Sequence, residues 1–259
     1  KMNKFKRAKK RCKQHRLQIL ELSQKVQALH VGGSFSSVEI VDCIYNMIKK
    51  KNDKFILSKG HAGIIQYVVL NQLGVISKRK LNSYCQKNGY IGVHPDYGKV
   101  GIAASTGSLG HGLGIASGMA LAKRNKNNYY ILMSDGELQE GSIWEAALII
   151  GALKLNNIII VVDNNDLQSS TRATDTHPNL YPIDKKFKEF GWNTAKCDGS
   201  STKQIYDSIN KRKKDKPFAL IAKTIKGYPI SFMMNVPMWH YRSPNEDEYK
   251  LAVNEIEKL

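Results

Sequence analysis

Residues 129–167 read YYILMSDGELQEGSIWEAALIIGALKLNNIIIVVDNNDL, and this stretch decides the fold. Tyr129–Met133 is a short apolar run closing on Ser134-Asp135-Gly136, and Ile158–Val162 is a run of β-branched residues closing on Asp163-Asn164-Asn165. Between them, about 142–155, the chain is apolar nearly all round (Ile143, Trp144, Ala147, Leu148, Ile150, Leu153) over the length of a helix. Strand, helix, strand at this spacing is a βαβ unit, whose crossover makes the two strands parallel. Strands without polar alternation are covered on both faces. The expected fold class is therefore α/β: a doubly wound, mostly parallel sheet with helices on both faces. Phe218–Ala222 reads as a further strand and Ile205–Lys211 as the helix before it. Toward the start, residues about 14–30 and 37–50 carry helical apolar spacing, with Ser36 or Ser37 available as an N-cap and Glu39 in the first turn. No internal repeat or low-complexity linker divides the chain, so residues 1–259 are expected to form one domain.

Parallel geometry places chemistry on one edge. Asp135 and Asn165 each stand just past the carboxyl end of a predicted strand, thirty residues or one βαβ turn apart. Open α/β sheets bind ligands along that edge. A carboxylate, an amide oxygen and a nearby backbone carbonyl are hard oxygen ligands suited to Mg²⁺ or Ca²⁺, and magnesium also takes substrate phosphates into its octahedron. A helix opening after Gly136 would turn free backbone N–H groups toward those phosphates.

The segment SDGELQEGSIWEAALIIGALKLNNIIIVVDNND resembles the thiamine-diphosphate motif, a GDG followed about thirty residues later by an Asn. Four histidine segments make the resemblance one to transketolases: Ala28-Leu29-His30-Val31-Gly32-Gly33-Ser34, Phe55-Ile56-Leu57-Ser58-Lys59-Gly60-His61, Val93-His94-Pro95-Asp96 and Trp239-His240. Thr106-Gly107-Ser108-Leu109-Gly110-His111-Gly112-Leu113-Gly114 is similar to the family's TGxLGxG segment. The resemblance implies thiamine diphosphate with Mg²⁺ (or Ca²⁺) as cofactors. It makes Asp135, Asn165 and the Leu167 carbonyl the metal ligands. It sets Gly136, Gly107, Ser108 and Leu109 against the cofactor by main-chain contact, and His61, His240 and Lys226 at the diphosphate. His30, His94 and His240 then surround the donor sugar, where a side chain that titrates near neutrality can move protons. Glu140 and Glu145 align with glutamates of a proton relay across the family's subunit interface. The chain departs from the pattern at Ser134 and Asp166, where Gly is usual, and in Ser169–Pro178. Gly114 and Gly118 are open to two readings, cofactor loop or tight helix packing, and a solvated surface role competes for Lys226.

Thiamine chemistry needs the thiazolium C2 proton to leave, and in this family a glutamate of a separate pyrimidine-binding domain drives that step. Such a domain follows the matching region in a full transketolase. The resemblance therefore implies the N-terminal subunit of a split enzyme, completed by a C-terminal transketolase-like subunit in an α2β2 assembly. That enzyme would pass a two-carbon ketol unit from a ketose to an aldose or other sugar-derived acceptor. Two alternatives stand beside it: the α subunit of a thiamine-dependent 2-oxo acid dehydrogenase, and a basic, non-catalytic scaffold.

Composition trims the rest. With 42% hydrophobic and 24% charged residues the chain has the make-up of a globular protein, and its longest apolar runs fall short of the roughly 18 residues of a membrane helix. No secretory signal is read at the start. Cys12, Cys43, Cys85 and Cys197 form no CxxC pair, against a zinc or disulfide framework and in keeping with a reducing cytoplasm. The formal net charge of +18 attracts anions. Its densest runs, Lys1–Arg16 and Lys211–Lys216, lack interleaved aromatics, which argues against a nucleic-acid partner.

Overall fold

The computed structural model describes residues 3–26, 29–123, 126–169 and 171–259. Its strands are β1 (Lys54–Leu57), β2 (Tyr129–Ser134), β3 (Ile158–Asn164), β4 (Leu167–Gln168), β5 (Thr171–Arg172), β6 (Asn193–Asp198) and β7 (Phe218–Lys223). Five of them make one parallel sheet in the order β1-β2-β3-β7-β6, and β4 and β5 form a small hairpin beside it. The helices are α1 (Lys4–Ser23), α2 (Val31–Phe35), α3 (Val38–Cys43), α4 (Gly63–Gln72), α5 (Lys78–Asn82), α6 (His111–Ala122), α7 (Gly141–Ala152), α8 (Ala173–Thr176), α9 (Ile183–Glu189), α10 (Thr202–Asn210) and α11 (Glu246–Glu257).

Alternation along the strands feeds two cores. Phe55, Leu57, Tyr130, Leu132, Ile159, Val161 and Leu220 pack toward α1, α3, α4, α10 and α11. Ile131, Met133, Ile158, Ile160, Val162 and Ala219 pack toward α6, α7 and α9. Both faces are thus covered, as the unbroken apolar runs require, and the α/β architecture is the one expected. The polar-rich β6 sits at the sheet edge and buries Cys197.

Three local details differ from the sequence reading. The first helix starts at Lys4, capped by Asn3, well before residue 14, because one stripe of the basic segment (Ala8, Cys12, His15, Arg16, Ile19) is buried. Part of that basic charge is internal: Arg16 meets Glu39 at 2.7 Å through both terminal guanidinium nitrogens, and Arg11 grips the buried Asp42 at 2.8 and 2.9 Å. This helix ends at Ser23, short of the expected residue 30, and residues 27 and 28 lie outside the described residues. Ser37 stands at the N-cap of α3 without a side-chain cap bond; the Ser36 and Ser37 hydroxyls donate instead to the Gly33 carbonyl and to Asp163. The chain after Asp135 is a 3-10 turn, Gly136–Gln139, and α7 begins only at Gly141. The N–H groups expected to face phosphates are taken locally, Gly136 N–H by Asp135 Oδ1 (2.9 Å) and Glu137 N–H by Ser134 Oγ (3.2 Å).

Candidate active site

The register Ser134↔Asp163 sets Asp135 and Asn165 on the same edge of neighbouring parallel strands. The tie between them is the Asp166 N–H, which donates to Asp135 Oδ2 at 2.5 Å. Asp166 has the left-handed φ of 63° that Asp tolerates better than most residues. Its carboxylate rewards the turn by accepting from Thr174 N–H and Thr174 Oγ1, both at 2.9 Å. Ser134 likewise explains its own departure from Gly by capping the turn that follows. Asn165 Oδ1 accepts from the Leu167 N–H at 3.0 Å, so Asn165 and Leu167 share one tight turn. Gly136 lies where a Cβ would stand 2.9 Å from Gln168 Cβ.

Two buried carboxylates at adjacent strand ends have opposite surroundings. Asp163 holds an internal counter-ion: Lys59 Nζ lies 2.5 Å away, Ser36 Oγ donates at 2.7 Å, and Thr224 Oγ1 donates to its other oxygen. Burial works against its charge, but Lys59 and these hydrogen bonds outweigh burial and leave the carboxyl below its usual range. Asp135 is also fully buried, yet its contacts among the described residues are neutral donors only: Gly136 N–H, Asp166 N–H and the Tyr181 hydroxyl at 3.3 Å. Burial, with Asp163 adding to it, pushes this carboxyl up to about 6.

A third carboxylate, Glu137, binds the glycine loop to the strand ends. Its Oε1 accepts from Ser58 Oγ (2.5 Å) and Gly110 N–H (3.0 Å), and its Oε2 from Ser134 N–H (3.4 Å). Gly60 packs on the same loop so closely that a Cβ would lie 2.8 Å from Gly107 N. At Gly107, φ is 151° and a Cβ would meet the His94 ring at 3.0 Å.

Above these strand ends three histidines gather. The ring centroid of His30 stands 5.0 Å from those of both His61 and His240, and 4.6 Å from that of Tyr241. A parallel bridge between His30 and Arg242 brings the late histidine segment to the early one. Burial, reinforced by neighbouring positive groups, lowers His30 to about 4 and His240 to about 3, and holds His61 well below its ordinary value. All three are neutral at pH 7. Lys226 is buried, 4% exposed, which disposes of the solvated reading. Its ammonium donates to His240 Nδ1 at 2.9 Å and thereby leaves the imidazole proton on Nε2. Burial and the nearby Lys59 lower Lys226 to about 8. Among the described residues no carboxylate forms an ion pair with it. His30 Nδ1 is a buried nitrogen without a hydrogen-bond partner among the described residues.

The remaining expected residues stand further out. His94 is exposed, its ring against Gly107. Ser108 is exposed and Leu109 half-buried, and the Leu109 carbonyl lies 3.1 Å from His111 Nδ1. Glu140 and Glu145 are exposed along α7. Gly114 and Gly118 have no atom within 4 Å of a hypothetical Cβ, so neither serves helix packing within the chain. They belong instead to an exposed apolar ridge across α6 and α7, with Ile115 (39%), Leu121 (48%), Leu148 (54%) and Ile149 (53%). A cavity of about 580 Å³ opens beside the site at the ends of β3, β7 and β6; Tyr181 and Thr224 line it, and none of the four histidines does. Asp163, Lys59, Glu137 and Tyr181 went unnoticed in the sequence. For the first the available signal was an acid closing a run of β-branched residues.

Comparison with known proteins identifies the family. The family model described as "Transketolase, thiamine diphosphate binding domain" matches residues 8–255. One of the subunits of an apulose-4-phosphate transketolase from Phocaeicola vulgatus is 34% identical over 257 residues, covering 93% of this chain and 91% of that protein. A 6-deoxy-6-sulfo-D-fructose transketolase subunit, SqwG, from a Clostridium species is 34% identical over 254 residues, with 92% of each chain covered. A crystal structure of transketolase from Campylobacter jejuni shares the fold (TM-score 0.90, 24% identity) over 99% of this chain and 43% of that one. The chain belongs to the transketolase family. It matches two transferases named as transketolase subunits along nearly their whole length.

Proposed function

We propose that this chain holds the diphosphate and metal of thiamine diphosphate in a two-polypeptide transketolase that transfers a two-carbon ketol unit between sugars. One observation carries the reading: among the described residues, the site contains a buried carboxylate in no ion pair, Asp135, and a buried ammonium in no ion pair, Lys226. An isolated buried charge is costly. A magnesium ion answers the first and a diphosphate the second, so one Mg²⁺–diphosphate unit neutralises both. Asp135, Asn165 Oδ1 and the Leu167 carbonyl would hold the cation, a donor set of hard oxygens. Gly107, Ser108 and Leu109 would offer main chain to the cofactor, and His61 and Lys226 would meet its anionic end.

When bound, thiamine diphosphate supplies an acidic thiazolium carbon and an electron sink. The chain's part is proton handling and orientation. His240, its Nδ1 occupied by Lys226, presents Nε2–H as a donor to a carbonyl or hydroxyl oxygen. His30 stands ring to ring with His61 and His240 beside that donor, and His94 at the rim has room to meet the incoming sugar. Neutral imidazoles both accept and donate at pH 7, which suits a reaction whose protons move in both directions.

Two features support a second polypeptide. The apolar ridge of α6 and α7 adjoins Glu140, where a relay to another chain would begin, and large exposed apolar patches mark interfaces. The relatives that this chain matches over nine-tenths of its length are themselves named as subunits, which implies a companion chain. A pyrimidine-binding subunit docked on this ridge, two copies of each chain, would complete the site. The names of those relatives carry a phosphate and a sulfo group, and the net charge of +18 favours a donor sugar with an anionic tail. Free Cys12, Cys43, Cys85 and Cys197 are consistent with a cytoplasmic enzyme, and no helix among the described residues is long and apolar enough to cross a membrane.

The test is thermal stabilisation of the reconstituted pair by thiamine diphosphate with and without magnesium. We expect stabilisation that needs the metal and disappears in Asp135→Ala and Asn165→Ala. Stabilisation unchanged in both variants would remove the metal assignment, and full ketol transfer by this chain alone would remove the partner.

A further inference from the structure

We propose that Tyr181 is a positioning residue that orients the Asp135 carboxylate and sets the site's preference for Mg²⁺ over Ca²⁺, an inference that rests on the metal assignment above. Three donors reach Asp135. Two are backbone N–H groups, of Gly136 to Oδ1 and of Asp166 to Oδ2. The third is the Tyr181 hydroxyl, 3.3 Å from Oδ2. Tyr181 is thus the one side chain among the described residues that controls how the carboxylate turns.

The segment that delivers it is built as a strap. Asp166 starts it, accepting Ala173 N–H on its carbonyl (3.0 Å) and Thr174 on its carboxylate. Midway, Thr176 Oγ1 accepts from Gln168 Nε2 at 2.6 Å and from Gln139 Nε2 at 3.2 Å, and Gln139 belongs to the turn that follows Asp135 itself. A 3-10 turn, Pro178–Leu180, then sends the chain back so that Tyr181 returns to Asp135. The strap is pinned at both ends and the middle to the two strand tips of the site. Most of it is the stretch whose sequence departs from the transketolase pattern.

Loading decides the selectivity. Oδ2 carries two donors and Oδ1 one, so the carboxylate offers a single oxygen freely. Magnesium demands near-ideal octahedral geometry, which one-oxygen coordination serves. Calcium takes six to eight oxygens and accepts two from one carboxylate. Removing the hydroxyl leaves Oδ2 with the Asp166 N–H alone, as Oδ1 has the Gly136 N–H alone, so both oxygens keep a lone pair for a cation and two-oxygen contact, which favours calcium, becomes open. Outer hydrogen-bond partners of metal ligands typically change metal affinity by about 10- to 100-fold, and a bond of 3.3 Å belongs at the low end.

The experiment titrates Mg²⁺ and, separately, Ca²⁺ into the assembled enzyme at fixed thiamine diphosphate, reading cofactor-dependent thermal stabilisation. For Tyr181→Phe the half-saturating Mg²⁺ concentration is expected to rise roughly 10-fold, and that for Ca²⁺ to rise much less, so the ratio of the two moves toward calcium. Thr176→Val, which loosens the strap away from the ligand, is expected to move the same ratio in the same direction by a smaller factor. It carries the test should Tyr181→Phe fold poorly. Equal shifts for both metals, or none, would overturn the proposal. A wild-type enzyme whose stabilisation needs neither metal would instead overturn the metal assignment beneath it.

Discussion

Replacing Asp163 by Asn separates structure from cofactor chemistry at this site. The side chain keeps its shape, but Lys59, with 1% of its side chain exposed, loses the counter-ion 2.5 Å away. Burying a charge whose partner has been removed costs about 3–5 kcal/mol. An unfolding entropy near 2.1 cal/mol/K per residue gives roughly 0.54 kcal/mol/K for 259 residues, so the melting temperature should fall by about 6–9 °C. The loss should be largest near neutrality. Asp163 lies below its usual range in the folded chain, so its stabilisation is present above the ordinary carboxylate pKa and drains away as pH falls through the folded value. Thermal melts at pH 7 and at progressively lower pH, followed by far-UV circular dichroism, measure both effects. The double variant Lys59→Met with Asp163→Leu should recover part of the loss, since it leaves no orphaned charge but takes an acceptor from the Ser36 and Thr224 hydroxyls. An Asp163→Asn melt within about 2 °C of wild type would refute the reasoning, because it would mean that the ion pair is neither dry nor tight.

Further outcomes follow from the same geometry. Lys226 sits at about 8 in the folded chain, so diphosphate affinity measured by calorimetry should weaken as pH rises through that region, and Lys226→Met should flatten the profile. On the acid side, His30 lies near 4 against 6.5 unfolded, so the unfolded chain takes its proton first and stability should decline as pH falls from 6.5 toward 4, less so in His30→Gln. Gly60→Ala places a methyl 2.8 Å from Gly107 N and the Thr106 carbonyl carbon; overpacking of this kind costs about 1–3 kcal/mol, and the displaced loop should bind thiamine diphosphate more weakly in a thermal-shift titration. Leu148→Lys with Ile149→Lys should leave the chain's own stability within about 0.5 kcal/mol, as surface changes do, while abolishing co-elution with the second polypeptide on size exclusion.

The sheet was legible where strands are buried on both faces. Tyr129–Ser134, Ile158–Asn164 and Phe218–Lys223 announce themselves as apolar runs because nothing on either side of them meets water. Asn193–Asp198 did not, since an edge strand with one buried thiol and several half-exposed polar residues carries no clear period. Lys54–Leu57 is only four residues long and lay hidden inside a histidine motif. The candidate metal ligands were readable from spacing because a βαβ turn fixes which edge both reach. Lys59, Asp163, Glu137 and Tyr181 were not, because their partners lie far away in sequence and only folding pairs them. Ser134 and Asp166 looked like defects in a motif and proved to be working parts of its turns. Lys226, one lysine among many in a basic chain, is set apart in the sequence by resemblance alone, and only burial removes the solvated reading.

The bare aliphatic ridge on α6 and α7 bears on how the cell must manufacture this protein. On the two-polypeptide reading proposed above, a copy synthesised in excess of its counterpart would carry four greasy side chains into a crowded cell with nothing to shield them, inviting self-association or proteolysis. Production of the two polypeptides should therefore be matched, and surplus of this one should be short-lived.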